Sequence, residues 1–80
     1  MHYIYLIKSL SNPMRIYVGY TINLEERLKT HNSGGSVYTK QYKPWELITH
    51  ICFKDKFQAL AFERYLKSPS GKAFAIKRLW

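Results

Sequence analysis

Two tyrosines, an arginine, a histidine and a glutamate stand out as side chains that could do chemistry together. Tyr5 and Tyr17 lie on two neighbouring apolar stretches, Arg27 and His31 are four residues apart, and Glu63 falls in a later helical stretch. Phenols and imidazoles hold and move protons, a guanidinium binds anionic oxygens, and a carboxylate accepts cations. Other chemistries drop out on spacing. Neither Gly34-Gly35 nor Gly71-Lys72-Ala73 completes a phosphate-binding P-loop. No Ser or Cys sits in a nucleophile elbow. Glu25 and Glu26 are adjacent helix positions that point apart, unlike a glycosidase pair. His2, His31, His50 and Cys52 are too scattered for a four-ligand zinc site.

Taken singly, each candidate has a plainer structural explanation. Tyr5 and Tyr17 are good strand residues in a tyrosine-rich chain, suited to cross-strand packing. Arg27 can pair with Glu26 or lay its stem along an apolar surface. His31 near a helix C-terminus interacts favourably with the dipole. Glu63 and Lys67 form an i,i+4 pair of the kind worth only ~0.3–0.5 kcal/mol. The case for chemistry rests on the set and its order.

The elements that must position these residues are legible. His2 to Ile7 is β-branched and aromatic, Ser9 to Pro13 is turn chemistry, and Arg15 to Tyr20 is a second strand, which together predict a hairpin. Both runs are apolar on both faces, so strands covered on each side are expected. Asn23 and Glu26 have capping-box spacing ahead of a helix through His31, which Gly34 can terminate. Leu24, Leu28 and His31 share one helix face with Arg27 at its border, so Arg27 and His31 are expected to project toward the sheet. Val37 to Pro44 reads as a basic, tyrosine-bearing loop. Trp45 to Phe53 alternates as a third strand, with Trp45, Leu47, Thr49, Ile51 and Phe53 on one side. Asp55 caps a second helix from Lys56 to about Lys67, apolar around most of its circumference and so expected to be packed on more than one side. Ser68 to Gly71 breaks the chain before a short basic helix.

Composition bounds the class. The chain has 80 residues, 46% hydrophobic and 16% aromatic, with 13 Lys+Arg against 5 Asp+Glu and a net charge of +8. That is one globular domain, residues 1–80, with a small core. The charge is segregated: no acid lies between Glu26 and Glu46, and none follows Glu63. A polyanion binder is the simplest reading, nucleic acid ahead of membrane. The lone Cys52 fits a reducing, cytoplasmic setting and, in its apolar run, is expected to be a buried thiol. The longest apolar run, Tyr3 to Ile7, is far below the ~20 residues of a membrane span, and the N-terminus lacks signal-peptide features.

At these residues the chain resembles the GIY-YIG nuclease superfamily. Tyr3-Ile4-Tyr5 stands for Gly-Ile-Tyr and Tyr17-Val18-Gly19 for Tyr-Ile-Gly. Gly19-Tyr20-Thr21-Ile22-Asn23-Leu24-Glu25-Glu26-Arg27 is similar to the family's G-x-[ST]-x-N-L-x-x-R, and His31 follows four residues later. Ala61 to Ser68 around Glu63 resembles the A-x-x-x-E-x-x-L-K stretch of small stand-alone members and of the excinuclease catalytic domain. Lys67 to Phe74 is similar to the K-S-G-S-G-R-A-F of those small members. The likeness spans nearly the whole chain, with departures. Tyr3 replaces the first glycine and tightens the hairpin, and Pro69 replaces a glycine after the second helix. The asparagine some members carry there has no clear counterpart, with Lys67, Ser68 and Ser70 as alternatives.

The resemblance implies an endonuclease that hydrolyses DNA phosphodiester bonds with one Mg²⁺ (or Mn²⁺). Tyr17, with Tyr5 close by, would orient or deprotonate the attacking water, leaving open which tyrosine is the base. Arg27 would contact the scissile phosphate, Glu63 would hold the metal, and His31 would assist near the tyrosines. A tyrosine's ordinary pKa is about 10, so a base of this type needs positive charge nearby. The expected fold is α+β, a three-stranded, mostly antiparallel sheet flanked by three helices in the order ββαβαα. The site is expected at one sheet face, where the first and second helices deliver Arg27 and Glu63. Arg27, Lys40, Lys43, Lys67 and Lys72 are the expected nucleic-acid contacts, positioning rather than reading sequence. The short chain leaves no room for a separate recognition domain, so cutting is expected to follow DNA structure, branched or single-strand-containing, with RNA left open. A protein partner could then supply targeting. Two rivals are a non-cleaving nucleic-acid-binding module on the same fold and a small protein that binds a partner through its aromatic surface.

Overall fold

A strand with apolar side chains on both faces has to be covered twice, and β1 (His2–Ser9) lies at the centre of the sheet. The computed structural model describes residues 1–80 and places β2 (Ile16–Thr21) on one side of β1 and β3 (Trp45–Phe53) on the other. Both pairings are antiparallel, so the sheet is antiparallel throughout. Alternation along β1 sorts its side chains between two cores. Ile4 and Leu6 bury against Ala59 and Leu66 of α3 (Lys56–Leu66) and Ala75 of α4 (Pro69–Arg78). Tyr5 and Ile7 face the other way, into a cluster with Trp45 joined by Leu24 and Leu28 of α1 (Leu24–Ser33). No helix is long and apolar enough to cross a membrane.

The caps form where the sequence predicts them. The Asn23 side chain accepts from the Glu26 amide at 3.1 Å, and Gly34 ends α1 with φ of 86°, a left-handed conformation that favours glycine. Asp55 accepts from the Gln58 amide at 3.0 Å to start α3. Pro69 occupies the first turn of α4, where its missing N–H costs nothing, so its replacement of a glycine suits this helix start. Ser68 is the α4 N-cap: it accepts from the Gly71 amide and donates to the Tyr65 carbonyl, which commits its hydroxyl to structure.

Three expectations are corrected. The Val37–Pro44 stretch is not all loop: Val37–Lys40 forms α2, giving four helices in the order ββααβαα. One helical turn is too short for periodicity to reveal, and this one carries Thr39, fully buried against its tertiary partners. The second correction concerns β3, which does not keep one face inward along its length. Pairing with β1 shifts between Leu6↔Thr49 and Ile7↔Leu47, so Ile48 is an extra residue that reverses the alternation. Trp45 and Leu47 therefore join Tyr5 and Ile7, whereas Phe53 packs against the α3 side. The same reversal accounts for Cys52, expected to be buried and found exposed. It pairs with Tyr3 at the far end of β1, on the side opposite Phe53. The third correction concerns α3, whose apolar girdle is only partly covered: Phe57 is 77% exposed.

Candidate active site

The hairpin register puts Tyr5 opposite Gly19, and the Tyr5 ring lies directly over that glycine. A Cβ at position 19 would overlap the phenol, so the glycine is required for close approach rather than for backbone freedom. Across this gap the Tyr5 hydroxyl reaches Nε2 of His31 at 2.8 Å. The other ring nitrogen, Nδ1, is 2.7 Å from Oγ1 of Thr39. Trp45 Nε1 in turn donates to the Thr39 carbonyl at 2.8 Å, which holds α2 in place. Tyr5 is 3% exposed and His31 1%, so this string of hydrogen bonds is shielded from solvent. The ordinary reading of His31 as a helix-end residue interacting with a dipole is insufficient: the ring is a fully bonded link between two elements.

Burial favours the neutral form of both linked groups. Burial holds His31 below its usual value, with the Arg27 charge adding to the effect. Burial also pushes the Tyr5 phenol well above its usual value, reinforced by nearby Tyr17 and Glu63 and opposed by Arg27. The unfolded chain takes up a proton at histidine near pH 6.5 that folded His31 resists. Stability from this group is therefore full above about pH 6.5 and declines as pH falls below it. Folded Tyr5 retains its proton where the unfolded phenol loses it, so stability also declines above about pH 10. Thermal unfolding followed across pH should show the midpoint falling on both sides of that window. The acid-side fall between about pH 6.5 and 5 should shrink in His31→Gln; an unchanged acid limb would contradict this account of His31.

Tyr17 occupies the rim of the same cluster. Its ring is 5.3 Å from the His31 ring, 6.2 Å from Tyr5 and 5.9 Å from Tyr38. Unlike Tyr5, it is only half-buried, and its hydroxyl makes no hydrogen bond within the protein. On the other side of the ring, the Lys67 ammonium lies 6.0 Å from its centroid and 3.1 Å from Oε2 of Glu63. Glu63 and Arg27 both lie close enough for their charges to act on Tyr5.

This arrangement differs from the expected single-face site. α1 packs with the Tyr5 face of the sheet and α3 with the Ile4 face, so the two helices that carry Arg27 and Glu63 are on opposite sides. α3 packs against β2, an edge strand with no neighbour beyond it, and the His31 ring of α1 reaches Tyr17 of the same strand. His31 projects inward as expected, whereas Arg27 remains an exposed residue whose charge reaches the cluster.

Glu63 is the one carboxylate at this site whose charge reaches Tyr5, with its side chain 21% exposed. No group of three or more His, Cys, Asp or Glu converges anywhere in the chain. A lone, partly hydrated carboxylate suits Mg²⁺ or Mn²⁺, hard cations that keep several waters, and does not suit zinc. The Lys67 contact, an exposed i,i+4 pair, is cheap to exchange for a cation. Among the expected nucleic-acid contacts, Lys67 and Lys72 share a groove beside Tyr17. Lys40 and Lys43 instead gather around Gly34, at the C-terminal end of α1, where the helix dipole favours positive charge. Sequence reasoning missed Thr39 and Tyr38. Neither carried a signal, because their roles depend on α2 folding back onto His31 and Tyr17.

A hairpin with paired tyrosines, a capped helix that delivers Arg27 and His31, and a second helix that delivers one carboxylate define a family by fold and site together. The chain belongs to the GIY-YIG family: residues 1–77 match its catalytic domain. Among similar proteins is a UPF0213 protein of Bacillus pumilus, 43% identical over 72 residues, covering 89% of this chain and 71% of that one. The UPF0213 protein YazA of Bacillus subtilis is 42% identical over 72 residues, covering 89% of this chain and 71% of its own. The structure-specific endonuclease subunit SLX1 of Debaryomyces hansenii is 38% identical over 73 residues, which cover 82% of this chain but 21% of that protein. The solution NMR structure of a UPF0213 protein from Bacillus halodurans superposes with a TM-score of 0.56 at 30% identity, covering 95% of this chain and 82% of that one.

Proposed function

We propose that this protein is an endonuclease that hydrolyses DNA phosphodiester bonds with one Mg²⁺ (or Mn²⁺), directed by DNA structure rather than by base sequence. The observation that carries the reading is the cluster of Tyr5, His31 and Tyr17, with the charges of Arg27 and Glu63 both acting on Tyr5, in a chain of the GIY-YIG family. The structure-specific endonuclease named among its relatives supports the substrate class.

Each residue then has a task. Tyr5, neutral and bonded to His31, is a fixed donor–acceptor that sets the cluster's geometry rather than a base. Tyr17, with its Oη unengaged, orients the attacking water or, once its own proton has passed to solvent, takes the water's proton as the phenolate. As water adds to phosphorus and the bond to the leaving oxygen breaks, negative charge builds on the phosphate oxygens, and Arg27 stabilises it. Glu63 would hold the cation, which when bound supplies positive charge against the phosphate and the leaving oxygen. Lys67 and Lys72 bind flanking phosphates without reading bases.

The direct test is nicking of labelled flap, branched and duplex DNA by the purified protein. Cleavage of the first two should appear on addition of Mg²⁺ and stop with chelator. The Glu63–Lys67 ion pair favours one alternative, a nucleic-acid-binding module in which lysine permanently occupies the carboxylate. That reading predicts salt-sensitive binding to DNA or RNA with no nicking under any metal.

A further inference from the structure

A groove of about 480 Å³ opens beside the site and extends beyond the residues that the phosphodiester chemistry uses. It wraps the outer edge of β2, from Tyr17 and Tyr38 on one side to Ile76 and Trp80 on the other, with Lys67 and Lys72 as its charged residues. Its walls are otherwise mostly apolar, and no acid lines it. The size is that of a small-ligand site. Tyr38 is 42% exposed with its ring tilted against Tyr17, and Ile76 is 71% exposed. The aromatic series continues from Tyr38 to Tyr42, 5.7 Å away, where the Arg15 guanidinium lies 4.9 Å from the ring centroid.

Resting on the nuclease reading above, we propose that this groove seats one unstacked nucleobase of the strand held at the site. Two features of the groove select that occupant. Aromatic and apolar walls stack a base of any sequence, because every base has a π-face. The two lysines then meet the phosphates that flank it, with no acid among the lining residues and Glu63, paired to Lys67, just outside them. An apolar peptide would gain nothing from this charge. Continuity decides the rest: Tyr17 belongs to both the groove and the catalytic cluster, and Lys67 joins the groove to Glu63. The base would therefore belong to a nucleotide beside the phosphate being cut, and its seating would fix the register of cleavage.

Trp80 lines the groove while Trp45 is 3% exposed in the opposite core, so intrinsic fluorescence reports on the site. The full chain is titrated, in chelator and at several salt concentrations, with a short single-stranded oligonucleotide and with its abasic counterpart of equal phosphate number. The base-bearing strand should bind roughly 5- to 150-fold more tightly and perturb Trp80 emission. Tyr38→Ala should reduce that ratio without altering the salt dependence. If that variant does not fold, the comparison on the unaltered protein still decides. Equal affinity for the two strands, with salt dependence intact, overturns the base site and leaves the nuclease reading standing. Loss of all salt-sensitive affinity overturns both. A concentration-dependent dimer that buries Trp80 without DNA assigns the groove to a second copy and overturns the proposal.

Discussion

Glu63→Gln is expected to lower the rate of DNA cleavage by roughly 10²–10³-fold or more while DNA affinity is retained or slightly raised. The substitution keeps the shape of the side chain and removes its charge, and Glu63 is the carboxylate whose charge acts on Tyr5. A neutral amide oxygen is a poor ligand for a hard cation that already prefers water. The fold should be indifferent, since Glu63 contributes one exposed-type ion pair to Lys67. Single-turnover cleavage, binding by anisotropy and thermal unfolding separate these effects. A rate within tenfold of the original would remove Glu63 from the chemistry and with it the cation assignment.

Tyr17→Phe and Tyr5→Phe should fail in different ways, and the contrast identifies which tyrosine works on water. Tyr17→Phe should cost roughly 10²–10⁴-fold in rate, the range for losing a proton-handling group. The thermal midpoint should hardly move, because the Tyr17 hydroxyl has no partner inside the protein and its ring packing against His31 and Tyr38 survives. Tyr5→Phe leaves His31 Nε2 buried without its partner, a defect of about 1–3 kcal/mol, so stability should fall clearly. Its effect on rate would come through displacement of the His31 ring. The reverse pattern, with Tyr5→Phe folding normally and losing more activity than Tyr17→Phe, would exchange the two roles.

Much of the site was legible because its residues sit on elements set by local rules. The hairpin follows from two β-branched, aromatic runs with turn residues between them. Asn23 with Glu26 and Asp55 ahead of α3 mark helix starts through side-chain acceptors that act within three residues. Once those starts are known, helical spacing places Arg27 and His31 near one face and puts Lys67 one turn beyond Glu63. Thr39 was not legible, since a buried threonine on a single helical turn has no pattern. Nor was the fate of Cys52, because the strand that carries it reads as one continuous alternation.

The residue set, the antiparallel hairpin, the capped helices and the surplus of positive charge all follow from the order of the amino acids. These depend on contacts a few residues apart and on composition. Where those parts meet is fixed by contacts distant in the chain. The extra residue at Ile48 exists through pairing with β1, and it alone moves Trp45 into one core and Phe53 into the other. The position of β2 at the sheet edge lets His31 of α1 and Lys67 at the end of α3 both reach Tyr17. Strand order is a matter of long-range pairing, to which neither hydrophobic period nor capping is sensitive. A site anticipated on a sheet face therefore lies around an edge, and a groove runs on from it.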